Sequence, residues 1–172
     1  MGSAKKPKRV KLITGLIFKE EAVFSQASKI LEKRFGRIDF LSQAISFIHT
    51  SFYEREFGSD LKRRFISFEK LIPPDTLPQI KIITNAIEKK LSQNSQRRIN
   101  IDPGYLTEAK LVLATTKDYK HRIYLSKGIC AEVTLFFKGQ TFNSWEWTYP
   151  DYKTDAYIAV FNQIREIYAR QI

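Results

Sequence analysis

The sequence is short of the residues on which several common kinds of site depend. One of its 172 residues is a cysteine, Cys130, and two are histidines, His49 and His121. A single cysteine excludes an internal disulfide and any paired-cysteine metal or redox site. Two histidines cannot supply the His-Glu-x-x-His zinc helix, although a magnesium site built from carboxylates distant in sequence stays open. The residues identify no metal ligand set and no cofactor.

Glycine and long apolar runs are scarce as well. None of the seven glycines begins the P-loop pattern GxxxxGK[ST], whose backbone amides surround phosphates, so P-loop GTPase or kinase chemistry is excluded. No run approaches the roughly 18 apolar residues that a membrane span needs, and the N-terminus has no signal-peptide pattern. We therefore expect a soluble, cytoplasmic protein.

The chain is rich in apolar and basic residues. Its hydrophobic content of 43%, with 13% aromatic residues, is enough for a sizeable core and predicts one domain over residues 10–172. The net charge of +11 is unevenly placed: residues 1–100 carry 20 basic and 10 acidic side chains, whereas residues 101–172 carry 9 and 8. Part of the excess belongs to a predicted basic tail, residues 1–9. The remainder makes nucleic acid a partner to consider.

Hydrophobic periodicity in the first hundred residues predicts alternating strands and helices. Period-two or β-branched runs predict strands, and helical spacing ending at Gly36 or following Pro73-Pro74 predicts helices. The predicted strands cover residues 10–18, 38–48, 62–71 and 98–101, and the helices cover 23–35 and 75–91. This order is that of a ferredoxin-like βαββαβ unit.

The remaining residues do not repeat that unit. Residues 107–114 suit a short helix, although Leu111-Val112-Leu113 would also suit a strand. Three strands at 121–125, 129–137 and 140–147, joined by glycine turns, predict a meander, and Thr154 begins a last amphipathic helix. We therefore predict an α+β fold, with a ferredoxin-like half extended by an antiparallel β-meander and a C-terminal helix.

Polar and aromatic residues gather where these later strands end. Asp102-Pro103-Gly104-Tyr105 has the composition of a turn and could project Asp102 and Tyr105 into a cleft. If the Ser126-Lys127-Gly128 turn sets the register, Tyr124 faces Cys130 and Arg122 faces Glu132. Continued through Lys138-Gly139, the same register places Trp145 opposite Glu132 and Trp147 opposite Cys130.

These segments predict a pocket for an anionic small molecule, of which a nucleotide is one option. The predicted lining is Asp102, Tyr105, Lys117, His121, Arg122, Tyr124, Glu132, Trp147, Tyr149 and Asp151. Arg122 would bind the anion, and His121 or a carboxylate would act as general acid or base in any reaction. One alternative is RNA or DNA binding through Arg63, Arg64, Arg97 and Arg98; another is a protein-interaction module.

Several blocks resemble an uncharacterised prokaryotic domain-of-unknown-function family whose members are sometimes labelled GTP-binding proteins. They include TSFYEREFG at 50–58, NIDPGYL at 100–106, KLVLATTKDYKHRIYL at 110–125 and WTYPDY at 147–152. The resemblance implies a shared fold and a shared site over residues 10–172, but no established activity. The GTP label gains no support from these residues, since TTKD at 115–118 lacks the spacing of a guanine-reading motif.

Overall fold

The first strand, β1 (Lys11–Phe18), lies at the centre of the molecule, and all eight of its residues are buried. Strands pair with both of its edges and helices cover both of its faces, which explains its continuous run of apolar and β-branched residues. These features come from a computed structural model that describes residues 1–48 and 53–172. The first three residues of the TSFYEREFG block lie outside the described residues.

The N-terminal half has the predicted ferredoxin-like order. After β1 it contains α1 (Glu21–Phe35), β2 (Ile38–Leu41), β3 (Ile45–Ser46), α2 (Glu54–Phe57), β4 (Lys62–Phe68), α3 (Leu77–Lys90) and β5 (Ile99–Leu106). The sheet order β2-β4-β1-β5 is antiparallel throughout. The predicted strand over 38–48 is divided, because only β2 and β3 within it pair with β4.

The C-terminal half continues the same sheet. It contains β6 (Lys110–Thr115), β7 (Ile123–Ser126), β8 (Ile129–Lys138), β9 (Thr141–Ser144) and α4 (Asp155–Ala169). The order runs on as β5-β6-β8-β7, with β9 beside the other end of β8. The α+β prediction is confirmed. The helix considered over 107–114 is wrong, since these residues include β6, which pairs with both β5 and β8.

The predicted turn at Asp102-Pro103-Gly104 is also wrong, because β5 runs straight through these residues. Asp102 lies opposite Gly15 and Pro103 opposite Thr14 in the ladder with β1. Pairing with β6 begins only at Gly104, so Pro103 lies just before that ladder starts. A missing backbone donor is tolerated at such a position.

Helices cover the sheet on both faces. On one face α1 and α3 pack against alternate residues of the central strands, such as Leu16, Phe68 and Ile101. On the other face α4 packs through Phe161 and Ile164 against residues from both halves of the sheet. No helix of the described chain is long and apolar enough to cross a membrane. Residues 1–9 are exposed and form no helix or strand.

The meander register is partly as predicted. Tyr124 faces Cys130, but the ladder then shifts, so that Ser126 and not Leu125 lies opposite Ile129. The last strand ends at Ser144, which lies opposite Leu135. Trp145 and Trp147 therefore follow the strand and do not pair with Glu132 and Cys130.

Candidate functional site

A gap in the sheet opens a cavity between two of its strands. Strands β5 and β6 pair through three residues, Gly104–Leu106 with Leu111–Leu113, and then separate. A Cβ on Gly104 would lie 2.3 Å from the Val112 carbonyl oxygen, so only glycine permits this approach. Beyond it, β5 stays with β1 while β6 stays with β8.

The cavity has a volume of about 710 Å³ and lies between the separating strands. Side chains of α3 enter it through the gap, and the segment between β9 and α4 forms another wall. The lining residues are Phe47, Tyr53, Arg63, Lys81, Asn85, Glu88, Arg97, Asn100, Asp102, Leu113, Ala114, Thr115, Thr116, Lys117, Glu132, Tyr149, Pro150, Asp151 and Tyr152.

Arg63 is one of two buried cations in this cavity, with 3% of its surface exposed. Its side chain crosses β1 at Gly15, where an added Cβ would lie 2.7 Å from Nη1. The missing side chain thus opens the path by which an arginine of β4 reaches β5. The guanidinium carbon lies 5.2 Å from the ring centre of Phe47 and 5.7 Å from that of Tyr152. These distances suit cation–π attraction.

Asp102 connects Arg63 of β4 with Lys81 of α3 in one charge network. Arg63 Nη1 lies 3.4 Å and Lys81 Nζ 3.5 Å from its carboxylate, and the Asn100 side-chain amide donates to it at 2.7 Å. Arg63 Nη2 reaches a second carboxylate, that of Asp151, at 3.3 Å. The burial of Asp102 favours its neutral form, but Lys81 and Arg63 outweigh that effect and hold the pKa of Asp102 below its ordinary value.

Glu88 has the opposite balance. Burial raises the pKa of Glu88 above its ordinary value, although Lys81 opposes the shift. One carboxylate oxygen accepts the Ile101 backbone N–H at 2.6 Å, and the other accepts from Arg97 at 3.1 Å. Burial likewise raises the pKa of Tyr53, with Asp102 adding to the shift. Carboxylates, cations and phenols thus lie side by side in the cavity.

Ion pairs inside the cavity are longer than those at its rim. The three contacts of Arg63 and Lys81 with carboxylates measure 3.3–3.5 Å, whereas charge-assisted hydrogen bonds are typically about 2.7–2.9 Å. Arg97, in contrast, holds both oxygens of Glu56 at 2.6 and 2.7 Å. Arg63 Nε has no acceptor among the described residues. Arg63 is therefore held weakly by its acceptors, whereas Lys81 also donates to the Ile101 carbonyl at 3.2 Å.

A second polar cluster surrounds Glu132 at the β8 side of the cavity. Arg122 Nε donates to Glu132 at 2.9 Å, and His121 Nε2 lies 3.2 Å from the same oxygen. Arg122 also donates to Tyr149 Oη and to the Lys117 carbonyl. Burial raises the pKa of Tyr149, and Glu132 adds to the shift. Because Arg122 is occupied by protein acceptors, it is poorly placed to bind a further anion.

The structure brings together part of the predicted site. Asp102, Lys117, Glu132, Tyr149 and Asp151 line the cavity. His121 and Arg122 touch it indirectly, through Glu132.

Three predicted residues lie elsewhere. Tyr105 packs on the α1 and α3 face of the sheet, since it alternates with Asp102 and Gly104 along β5. Tyr124 is exposed on β7. Trp147 stacks between Trp145 and His121 and donates to the Val133 carbonyl.

Sequence reasoning missed the cavity's second inner cation, Lys81, together with Glu88 and Asn85. All three lie on α3 at spacings of three and four residues, which puts them on one helix face. A lysine, an asparagine and a glutamate on one stripe of an otherwise apolar helix were the signal that could have revealed them.

The four arginines of the nucleic-acid alternative are all engaged by carboxylates. Arg63 and Arg97 belong to the cavity network. Arg64 pairs with Glu21 at 3.5 Å, and Arg98 pairs with Glu20 at 2.7 Å. They do not form one basic surface, and the faces of the ferredoxin-like sheet are covered by helices.

Comparison with known proteins adds one finding. A family model described as "Domain of unknown function (DUF4416)" matches residues 8–168. The chain belongs to the DUF4416 family. This confirms the resemblance to a domain family of unknown function, and the matched range contains every lining residue of the cavity. No curated protein and no solved structure matches significantly. Among the described residues, no cluster of three His, Cys, Asp or Glu side chains could hold a metal ion.

Proposed function

We propose that this DUF4416 domain binds a small anionic molecule in the cavity between β5 and β6, with its acidic group against Arg63 and Lys81. The observation that carries the proposal is the loosely held pair of buried cations. Asp102 is already approached by Arg63, Lys81 and Asn100, whereas an arginine has five N–H donors and a lysine has three. Arg63 Nε has no acceptor among the described residues and the carboxylate contacts of both cations are long, so a phosphate or carboxylate would supply closer oxygens.

The aromatic walls support a ligand that also carries a planar or apolar part. Phe47, Tyr53, Tyr149 and Tyr152 contribute rings to the lining. A cavity of about 710 Å³ lies within the range of roughly 300–1,000 Å³ typical of small-molecule sites. A nucleotide has this combination of an acidic group and a planar ring, which makes nucleotides the first compounds to test.

A thermal-shift screen of the full chain with nucleotides, phosphorylated metabolites and dicarboxylates tests the proposal. A ligand that binds only the folded state raises the melting temperature, and the shift grows with the logarithm of ligand concentration once that concentration exceeds Kd. The expected result is at least one acidic compound that raises the melting temperature, with the shift lost in Arg63→Gln. Arg98→Gln is the matched control, because Arg98 is an arginine with a close carboxylate partner outside the cavity.

The outcomes separate the rival functions. Equal shifts in the Arg63→Gln and Arg98→Gln variants would place the ligand elsewhere. Binding of mixed oligonucleotides that weakens steeply with salt and survives Arg63→Gln would favour the nucleic-acid alternative instead. Lack of any shift from acidic compounds at millimolar concentration would contradict the proposal.

A further inference from the structure

The outer edge of β7 is a strand edge whose backbone is paired with no other strand of the described chain. Strand β7 ends the order β6-β8-β7. Exposed edges offer unpaired backbone groups to other chains, and proteins usually protect them.

Two other edge strands of this sheet are protected by side chains. On β2 the Ile38 N–H donates to the Glu32 carboxylate at 3.1 Å. On β9 the Phe142 N–H donates to the Asn162 side-chain oxygen at 3.1 Å. No comparable side-chain acceptor reaches β7 among the described hydrogen bonds.

Apolar side chains are concentrated at this same edge. Ile123 is 71% and Tyr124 63% exposed, and Leu125 and Tyr119 are exposed beside them. Alternate residues of a strand point to opposite faces, so apolar groups project on both sides of the edge. Such a concentration on a surface marks an interaction site more often than a chance exposure.

The charges around β7 favour an acidic partner over a second copy of the chain. Lys120 and Lys127 flank the strand and are exposed, and the neighbour of Lys127 is the neutral Gln79. The charge of Arg122 is matched by Glu132, and the acidic groups nearby are Asp118 and Glu146, of which Glu146 lines a surface cleft with Lys120. Antiparallel pairing of two β7 strands would bring the lysines of the two copies together, and like charges opposite each other destabilise a ladder.

We propose that the outer edge of β7 binds an extended segment of another protein by strand addition. The segment pairs its backbone with β7, places apolar side chains beside Ile123 and Tyr124, and carries Asp or Glu where it passes Lys120 and Lys127. Strand addition of this kind takes its affinity from main-chain hydrogen bonds and its specificity from alternate side chains. The inference does not depend on the ligand proposed for the cavity.

A displayed library of random ten-residue peptides, selected on the full chain, tests this inference. The expected winners alternate apolar and polar residues, carry acidic flanks, and bind as synthetic peptides with affinities that fall as salt rises. Ile123→Asp should weaken their binding at least tenfold. Leu41→Asp is the matched control, because Leu41 is an exposed apolar residue on the protected edge strand β2. Bound peptide should also slow hydrogen exchange of amides in residues 123–126.

Three outcomes of the peptide selection would overturn the proposal. They are a selection that enriches no peptide, winners that bind both variants equally, and winners with basic flanks. A dimer in analytical ultracentrifugation that Ile123→Asp dissociates would assign the edge to a second copy of the chain and would equally overturn it.

Discussion

At the scale of single residues, the charge of Asp102 determines how the cavity responds to acid. Lys81 and Arg63 lower the pKa of Asp102 against the effect of burial. A carboxylate with a lowered folded-state pKa stabilises the fold above its unfolded-state pKa, and that contribution is lost as the pH falls through the folded-state value. We expect Asp102→Asn to lower the free energy of unfolding by about 2–3 kcal/mol at pH 7, and the deficit to shrink below about pH 4.

Urea unfolding of wild type and Asp102→Asn between pH 3 and pH 7 measures this deficit. Glu88→Gln provides a comparison of opposite sign, because burial raises the pKa of Glu88. Ionisation of Glu88 therefore lowers the free energy of unfolding of wild type as the pH rises from the unfolded-state pKa through the raised folded-state pKa. The stability of Glu88→Gln relative to wild type should therefore improve with rising pH. Parallel pH profiles for the two variants would contradict the assigned shifts.

Gly15 is a residue whose role is to leave space. We expect Gly15→Ala to displace the Arg63 guanidinium, because the new Cβ would lie 2.7 Å from Nη1 and 3.0 Å from the Phe65 ring. Overpacking of this kind costs about 1–3 kcal/mol of unfolding free energy. The cost should fall when Gly15→Ala is measured in an Arg63→Ala background, since one of the two clashes is then removed. Equal costs in both backgrounds would show that Phe65 alone sets the penalty.

At the scale of elements, the close approach of β5 to β6, just before the two strands separate, depends on Gly104. Gly104→Ala places a Cβ 2.3 Å from the Val112 carbonyl oxygen, a backbone atom that cannot move without shifting β6. We expect a loss of about 3 kcal/mol in the free energy of unfolding, measured by denaturant titration. Gly139→Ala is the control: its turn has open space but a φ of +67°, so strain alone should cost about 1 kcal/mol. A loss for Gly104→Ala no larger than this would contradict the close approach.

The same two strands show which features of the fold and the site can be predicted from sequence patterns. The βαββαβ order of the first half was predictable, because buried runs and helical spacing such as Val23, Phe24 and Ala27 are local signals. Pro103-Gly104 predicted a turn because these residues usually make one, yet here proline precedes the ladder with β6 and glycine permits the close approach of the β6 backbone. Arg63 entered only the nucleic-acid alternative, because no local sequence pattern reveals that its side chain crosses β1. Carboxylates and aromatics near strand ends did locate one wall of the cavity.

At the scale of the whole molecule, the two halves of the sheet share a short backbone ladder and the hydrophobic core under α4. Only three residue pairs link β5 to β6. The core under α4, in contrast, joins Ile13 and Phe65 of the first half to Leu135 and Phe142 of the second. Residues 10–172 should therefore unfold as one cooperative unit.

Two spectroscopic probes can test this cooperativity because they report on different halves. Both tryptophans, Trp145 and Trp147, lie in the second half, whereas α1 and α3 supply much of the helical circular dichroism. We expect fluorescence and circular dichroism to give one urea midpoint. Phe161→Ala removes a fully buried ring from the shared core. It should lower the free energy of unfolding by about 3–5 kcal/mol and shift the midpoints of both curves equally. Tyr119→Ala, at an exposed ring, should leave both unchanged. In a common transition, loss of the α4 core destabilises β1 and β4 as much as β8. If Phe161→Ala shifted the fluorescence curve alone, the two halves would therefore be separate folding units.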